Sequence, residues 1–263
     1  MFKFDELAEK YGWKKINSMT KYPSILTYHE LGEKGVLKNT HDFEPLENTE
    51  SILVTEKIDG TNTRIIFYGD DYLIGSREDM LYAKGDRIIN GTLGIVETVM
   101  PIAERIGSIQ GNEDKFVVVY GEVYGKGINA GKQYTNSDQK GFRVFDIVIQ
   151  DEIDNILARE LSAIASWRDN GGQSFVTIDG HLLASLADGL FSVPSLTSQE
   201  YRDMPKTLVE TYEWLQQFKT TRAGMEDGHK GNAEGVVIRN ENRSFIRKIR
   251  FEDYERTKRA GGF

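Results

Sequence analysis

Apolar positions along the chain follow two periods, and each predicts a different element. Alternating or short unbroken apolar runs mark strands at Ile52 to Ile58, Thr63 to Tyr68 and Tyr72 to Gly75, because successive side chains of a strand point to opposite faces. The last two flank Gly69-Asp70-Asp71, a hairpin-turn signal. Phe116 to Val123 and Phe142 to Ile149 read as further strands, and Gly235 to Arg239 with Ser244 to Ile249 as a final pair. Helical spacing joins Ile95, Val96, Val99, Ile102, Ala103 and Ile106, with Pro101 expected to kink or divide that helix. Ile153 to Trp167 reads as one helix ended by Asn170-Gly171-Gly172. Ser198 to Phe218 reads as a second long helix divided at Pro205, and Glu252 to Lys258 as a short closing one. The polar first fifty residues predict a short helix near Phe4 to Tyr11 and loops after it. Strands and helices mix without a βαβ rhythm. The expected class is α+β, with mainly antiparallel sheets and flanking helices.

Composition narrows the chemistry. With 263 residues, 39% hydrophobic and 28% charged, the chain has enough length for an ordinary core. No apolar stretch approaches a membrane span, and Met1 to Lys10 lacks a signal-peptide apolar region. The absence of cysteine excludes disulfides and thiolate metal sites and fits a reducing cytoplasm. His29, His41, His181 and His229 show no metal-ligand spacing. A net charge of −8 argues against a protein coated in positive charge. Arg243, Arg247, Lys248, Arg250, Arg256, Lys258 and Arg259 crowd one end. They read either as a local basic groove or as a solvated helix face shared with Glu252, Asp253 and Glu255.

The most informative segment is Ile52 to Asn62, ILVTEKIDGTN. Burying an ammonium is costly, so a lysine ending an apolar strand calls for a chemical reason. A deprotonated lysine amine is a nucleophile. Gly60 permits a tight turn and a close backbone approach, and Asp59, Thr61 and Asn62 add polar groups.

Glu56-Lys57-Ile58-Asp59-Gly60-Thr61-Asn62 resembles the nucleotidyl-lysine motif of the covalent nucleotidyltransferases: ATP-dependent DNA ligases, RNA ligases and mRNA capping enzymes. The Glu before the lysine and the Thr-Asn after the glycine lean toward RNA ligases of the RNA ligase 2 type. Later segments resemble the other motifs of that superfamily, in its order. Ser76-Arg77 resembles motif Ia, whose arginine contacts the nucleotide or an incoming 5′-phosphate; otherwise Arg77 forms a surface salt bridge with Glu78 or Asp79. Tyr120-Gly121-Glu122 resembles motif III, whose glutamate binds a ribose hydroxyl; the alternative is a buried ion pair. Arg143 to Ile147 resembles motif IIIa, with Phe145 matching the aromatic that stacks on adenine. Strand alternation would put Arg143, Phe145 and Ile147 on one face, and a core role for Phe145 is the alternative.

Ala233 to Arg239 resembles motif IV, whose glutamate, here Glu234, binds the divalent metal; the alternative is an exposed loop acid. Ile246 to Arg250 resembles motif V, where Lys248 and Arg250 would share one strand face and neutralise the α-phosphate. Arg250 replaces the family's second lysine. It can hold phosphate but would serve poorly as a general acid.

The resemblance implies a nucleotidyltransferase (adenylyltransferase) fold and an ATP-dependent RNA ligase acting in RNA repair. Lys57 would take AMP from ATP, with Lys248 and Arg250 as its catalytic partners. Glu56, Ile58, Asn62, Arg77, Glu122 and Phe145 would bind the nucleotide, Glu56 reading the adenine edge. Glu234 would hold Mg²⁺, with Mn²⁺ as a substitute. AMP would pass to an RNA 5′-phosphate, and a 3′-hydroxyl would displace it, at free ends or in a nicked duplex. Residues 251 to 263 leave no room for an OB or other accessory domain. The expectation is therefore a single nucleotidyltransferase domain over 1–263, in the cytoplasm and away from membranes. It would be a minimal ligase, a truncated one, or one that borrows an accessory RNA-binding partner for substrate grip, and it would seal free ends more weakly than it adenylylates itself. A DNA ligase core, a GTP-using capping enzyme and a non-catalytic binder of nucleotide or RNA ends are the competing readings.

Overall fold

Ten strands among the described residues build two sheets, and every ladder joining them is antiparallel. The computed structural model describes residues 2–106, 114–177 and 190–263; His181 lies outside them. The chain forms two units: Met1–Ser24, Gly60–Asn129 and Lys140–Ser192 in the first, Ile25–Asp59, Ala130–Gln139 and Val193–Phe263 in the second.

The first unit holds a six-stranded sheet made of β2 (Thr61–Tyr68), β3 (Asp71–Ser76), β4 (Met80–Ala83), β5 (Ile88–Ile89), β6 (Phe116–Gly125) and β7 (Lys140–Gln150). Their spatial order is β5-β4-β3-β2-β6-β7. Alternation sends Ile65, Phe67, Val117, Val119, Phe142 and Val144 to one face, against Ile95, Val99 and Ala103 of helix α3 (Ile95–Ile106). Helix α3 runs through Pro101. Ile66, Leu73, Phe116, Val118 and Val148 leave by the other face. They meet helices α1 (Lys3–Tyr11), α2 (Trp13–Thr20), α4 (Ile153–Leu157) and α5 (Leu161–Asp169). Helix α2, with Ile16 and Met19 buried, falls where loops were expected. The helix expected over Ile153 to Trp167 is two helices, because Glu160 takes an extended conformation between them. Ile156 and Ile164 still reach the same core.

The second unit holds a four-stranded sheet of β1 (Ser51–Lys57), β8 (Ser195–Glu200), β9 (Gly235–Arg239) and β10 (Ile246–Arg250), ordered β10-β9-β1-β8. Ile52, Val54, Val236, Ile238 and Ile249 face a core shared with helices α6 (Leu208–Leu215) and α7 (Phe251–Arg259). The long helix expected from Ser198 is overturned in its first third. Residues up to Glu200 pair with β1, and helix α6 begins only after Pro205, at a capping box between Thr207 and Glu210. A sheet edge offering unpaired backbone groups outweighed local helical spacing. Leu26 and Tyr28 bond the backbone of Lys248 from the outer side of β10.

Candidate active site

The strand registers set the second unit's candidates in rows. Lys57 pairs with Gly235, and Gly235 pairs with Arg250, so one line across β1, β9 and β10 reads Lys57-Gly235-Arg250. Two residues along, on the same face, the line reads Thr55-Val237-Lys248. The glycine between the two cations is required by packing. A Cβ there would strike the Ile249 carbonyl and stand 2.8 Å from the Arg250 Cα. Glu234 leaves the chain just before that glycine. Its Oε2 accepts a hydrogen bond from the Lys57 ammonium at 2.6 Å, and its Oε1 stands 3.8 Å from the Arg250 guanidinium.

Arg250 is held from behind. Its Nε and one terminal nitrogen donate to the two carboxylate oxygens of Asp253, each at 2.8 Å. Asp253 is fully buried and also accepts from Arg256 at 3.2 Å. Burial works to lower the Arg250 pKa, but the Asp253 carboxylate outweighs it and the net direction is upward. The guanidinium therefore stays charged. Ile58 is buried at the strand end. Next to it the Asp59 amide donates to the Tyr134 hydroxyl at 2.7 Å, a phenol whose pKa burial pushes up.

Glu56 lies on the opposite face from Lys57, in the row Glu56-Val236-Ile249. It is buried, and its carboxylate accepts from the Thr221 hydroxyl and, at 2.7 Å, from the Arg222 amide.

The first unit gathers its candidates on one face of its sheet. Asn62 pairs with Glu122, and Arg64 with Tyr120, on the side away from α3. The Asn62 Oδ1 is buried with no hydrogen-bond partner among the described residues, an acceptor suited to a ligand donor. Glu122 is half-buried and pairs with Arg143, whose Nε donates to the Tyr124 hydroxyl at 2.9 Å. Gly60 does approach closely, but toward β6: a Cβ there would meet the Val123 carbonyl and, at 2.8 Å, the Glu122 Cγ.

Phe145 corrects the expected alternation. The β6–β7 ladder shifts between Tyr120 and Gly121, whose partners are Asp146 and Val144, so Phe145 is the extra residue of a bulge. It packs beside Tyr22 and Tyr120, whereas Ile147 points to the α3 side. Arg143, Phe145 and Ile147 therefore do not share a face. The Tyr22 ring meets Phe145 edge-on at 4.9 Å, and its hydroxyl donates to Asp146 at 2.6 Å.

Arg77 follows β3 and is exposed. It donates to the Ser24 hydroxyl at 3.0 Å and lies 3.7 Å from Glu78. Its backbone is braced by a residue that motif reading missed. Arg64 is fully buried and donates to the carbonyls of Ser76 at 2.7 Å and Arg77 at 3.2 Å. Burial pushes its pKa down to about 10. The signal was an arginine inside the apolar run TNTRIIFY.

The crowded basic end divides. Arg256 is tied to Glu252, Asp253 and the Gly35 carbonyl, Arg247 lies over the rings of Phe43 and Phe245, and Lys258 sits over Tyr212. All three are engaged with neighbouring groups of the second unit. Among the described residues no group of three or more His, Cys, Asp or Glu is gathered for a metal. Glu234 alone fits a cation that keeps its waters and leans on substrate phosphates, as magnesium does. No helix among the described residues is long and apolar enough to cross a membrane.

Comparison with known proteins bears on the family and the fold. No curated protein matches the chain by sequence. Among solved structures, an RNA ligase variant from Naegleria gruberi without ligand aligns at 14% identity and a TM-score of 0.52, over 92% of this chain and 62% of that one. Another variant of that ligase, solved with ATP and manganese, aligns at 17% identity and 0.50, over 92% and 63%. The same ligase with pyrophosphate aligns at 16% and 0.50, over 90% and 64%. Identities this low establish a shared fold, and the chain spans less than two thirds of those structures. Residues 50–258 match the RNA ligase family, a stretch that contains β1 through β10 and every candidate residue above. That match covers most of the chain, and the chain belongs to the RNA ligase family.

Proposed function

We propose that the chain is an ATP-dependent RNA ligase working through a lysyl-adenylate. The observation that carries this reading is the row Lys57-Gly235-Arg250, with Glu234 bonded to the lysine. Lys57, once deprotonated, attacks the α-phosphorus of ATP. A P–N bond forms, the P–O bond to the β-phosphate breaks, and pyrophosphate leaves. Lys248 and Arg250 neutralise the charge growing on the α-phosphate oxygens. Arg250 acts there as a fixed guanidinium, oriented by Asp253, and passes no proton.

Glu234 is the candidate ligand for a divalent cation, which when bound supplies positive charge at the phosphates. Manganese in the Naegleria gruberi ligase structures supports a divalent metal of this kind. Magnesium is the proposed physiological ion. Phe145 offers its ring to the adenine, Glu122 accepts from the ribose, and Asn62 and Arg77 position phosphate groups. Ile58 closes the apolar end of the nucleotide site. The three residues Glu56 to Ile58 thus stay together in the machinery, although Glu56 faces away from Lys57.

AMP then passes from Lys57 to an RNA 5′-phosphate, and an RNA 3′-hydroxyl attacks that activated phosphate and expels AMP. The test is joining of a nicked RNA duplex with a 5′-phosphate and 3′-hydroxyl. ATP-dependent joining supports the reading. Sealing of nicked DNA in preference to RNA, or use of GTP in place of ATP, contradicts it.

A further inference from the structure

Lys57 stands on the last rung of the β1–β9 ladder, opposite Gly235. Strand ends open easily, so a nucleophile placed there needs its backbone fastened beyond that rung. Two residues on, the Asp59 amide donates to the Tyr134 hydroxyl at 2.7 Å. Tyr134 is fully buried. Burial first, and with it the carboxylates of Glu56, Asp59 and Glu234, push the pKa of this phenol up. It stays neutral and accepts from the amide without adding another anion near Lys57.

Tyr134 is itself gripped by the segment that leads to Glu234. Its carbonyl accepts from the Met225 amide at 2.8 Å, and its amide donates to the Gly131 carbonyl at 3.0 Å, closing the short turn Gly131–Gln133. On one side, the Gln133 carbonyl accepts from the His229 ring at 2.8 Å, and the Gln133 side chain accepts from the Asn232 amide at 2.7 Å. On the other side, the Thr135 and Ser137 hydroxyls donate to the Glu226 carboxylate. Gly231 approaches the Gln133 carbonyl so closely that no side chain fits there.

We infer that Tyr134 is a positioning residue for nucleotidyl transfer: its hydroxyl fastens the backbone just past Lys57, while its carbonyl joins the segment that carries Glu234. The inference rests on the proposed lysyl-adenylate chemistry for its catalytic meaning, but the fastening is a separate physical claim. Lys57 and Glu234 come from stretches far apart in sequence, and they meet at 2.6 Å. Tyr134 ties both stretches to one buried ring. Loss of the hydroxyl leaves the Asp59 amide without that acceptor and the end of β1 free to shift. A small misplacement of a nucleophile is enough to slow its attack.

The test is Tyr134→Phe in the full chain, which keeps the buried ring and removes the hydroxyl. Self-adenylylation, measured well below the Tm, is expected to lose about tenfold in kcat, with the KM for ATP within about twofold of wild type. The Asp59 amide is expected to exchange its hydrogen about tenfold faster, as read by NMR. A raised KM with unchanged kcat overturns the inference in favour of a nucleotide contact. A lowered Tm with unchanged kcat overturns it in favour of a purely structural role. Hydrogen exchange decides the fastening even if the wild type accepts no label from ATP, a result that counts against the lysyl-adenylate reading. Faster exchange at Asp59 supports the fastening, and unchanged exchange overturns it.

Discussion

The carboxylate of Glu234 bridges two cations: Lys57 donates to one oxygen at 2.6 Å, and Arg250 stands 3.8 Å from the other. The acid proposed to hold the metal is thus in contact with the proposed nucleophile before any ligand is present. A carboxylate so placed keeps the lysine side chain aimed across Gly235 rather than free in solvent.

Replacing Glu234 with Gln keeps the size of the side chain and removes the charge. Self-adenylylation is expected to fall at least a hundredfold, a loss of roughly 3 kcal/mol in transition-state stabilisation. Stability should change little, because both partners are partly exposed and such pairs contribute about 1 kcal/mol or less. Radiolabel incorporation and urea unfolding, measured side by side, check the two halves separately.

Gly235→Ala puts a methyl group against the Ile249 carbonyl. Strands β9 and β10 must separate locally, which costs roughly 1–3 kcal/mol as overpacking does. The same movement displaces Arg250 from Lys57. A lower urea midpoint together with lost label is the expected result. A fully stable and active variant would show that the close approach of the strands is unnecessary.

Asp253→Asn removes the carboxylate behind Arg250 and Arg256. Removing one partner of a buried ion pair is expensive, and the partial exposure of both arginines reduces the expected cost to about 2 kcal/mol. Adenylylation should slow more than Arg256→Gln slows it, since Arg250 is the one of the two arginines proposed to face the phosphate. Equal effects from the two substitutions would assign Asp253 to stability alone.

Acid should loosen the second unit through His29. Burial pulls the pKa of this imidazole from 6.5 to about 4, helped by the neighbouring His41 ring. The Lys206 carbonyl accepts from Nε2, and Nδ1 accepts from the Tyr254 hydroxyl, an arrangement that suits the neutral ring. Between these two pKa values the unfolded chain binds more protons than the folded one. The contribution of neutral His29 is therefore complete above pH 6.5 and drains away as pH falls toward 4, by about 3 kcal/mol at most. His29→Gln keeps a donor for Lys206 without titrating. The stability difference between wild type and variant should shift across that window, as read by urea unfolding at pH 7.5 and pH 4.5. A difference independent of pH would contradict the assignment.

The strands near the site were legible because their apolar runs are long and their turns short. Ile52 to Ile58 and Phe116 to Val123 are followed closely by β1 and β6. Long-range demands were illegible. Ser195–Glu200 became a strand because β1 needed a partner, although a helix was expected from Ser198 onward. The bulge at Phe145 breaks an alternation that the residues alone suggested. Motif residues could be named one by one, but their supports could not. Arg64, Asp253, Tyr134 and Thr221 act through contacts set by the fold, and only the arginine inside an apolar run announced itself.

The central claim is the covalent bond to Lys57. Folded chain incubated with ATP and Mg²⁺, then digested and mapped by mass spectrometry, tests it most directly. The account predicts AMP on the peptide containing Lys57, acid-labile as a phosphoramidate, and none on the Lys57→Ala chain. AMP on another residue, or none on folded wild-type protein that is not already adenylylated, would contradict it.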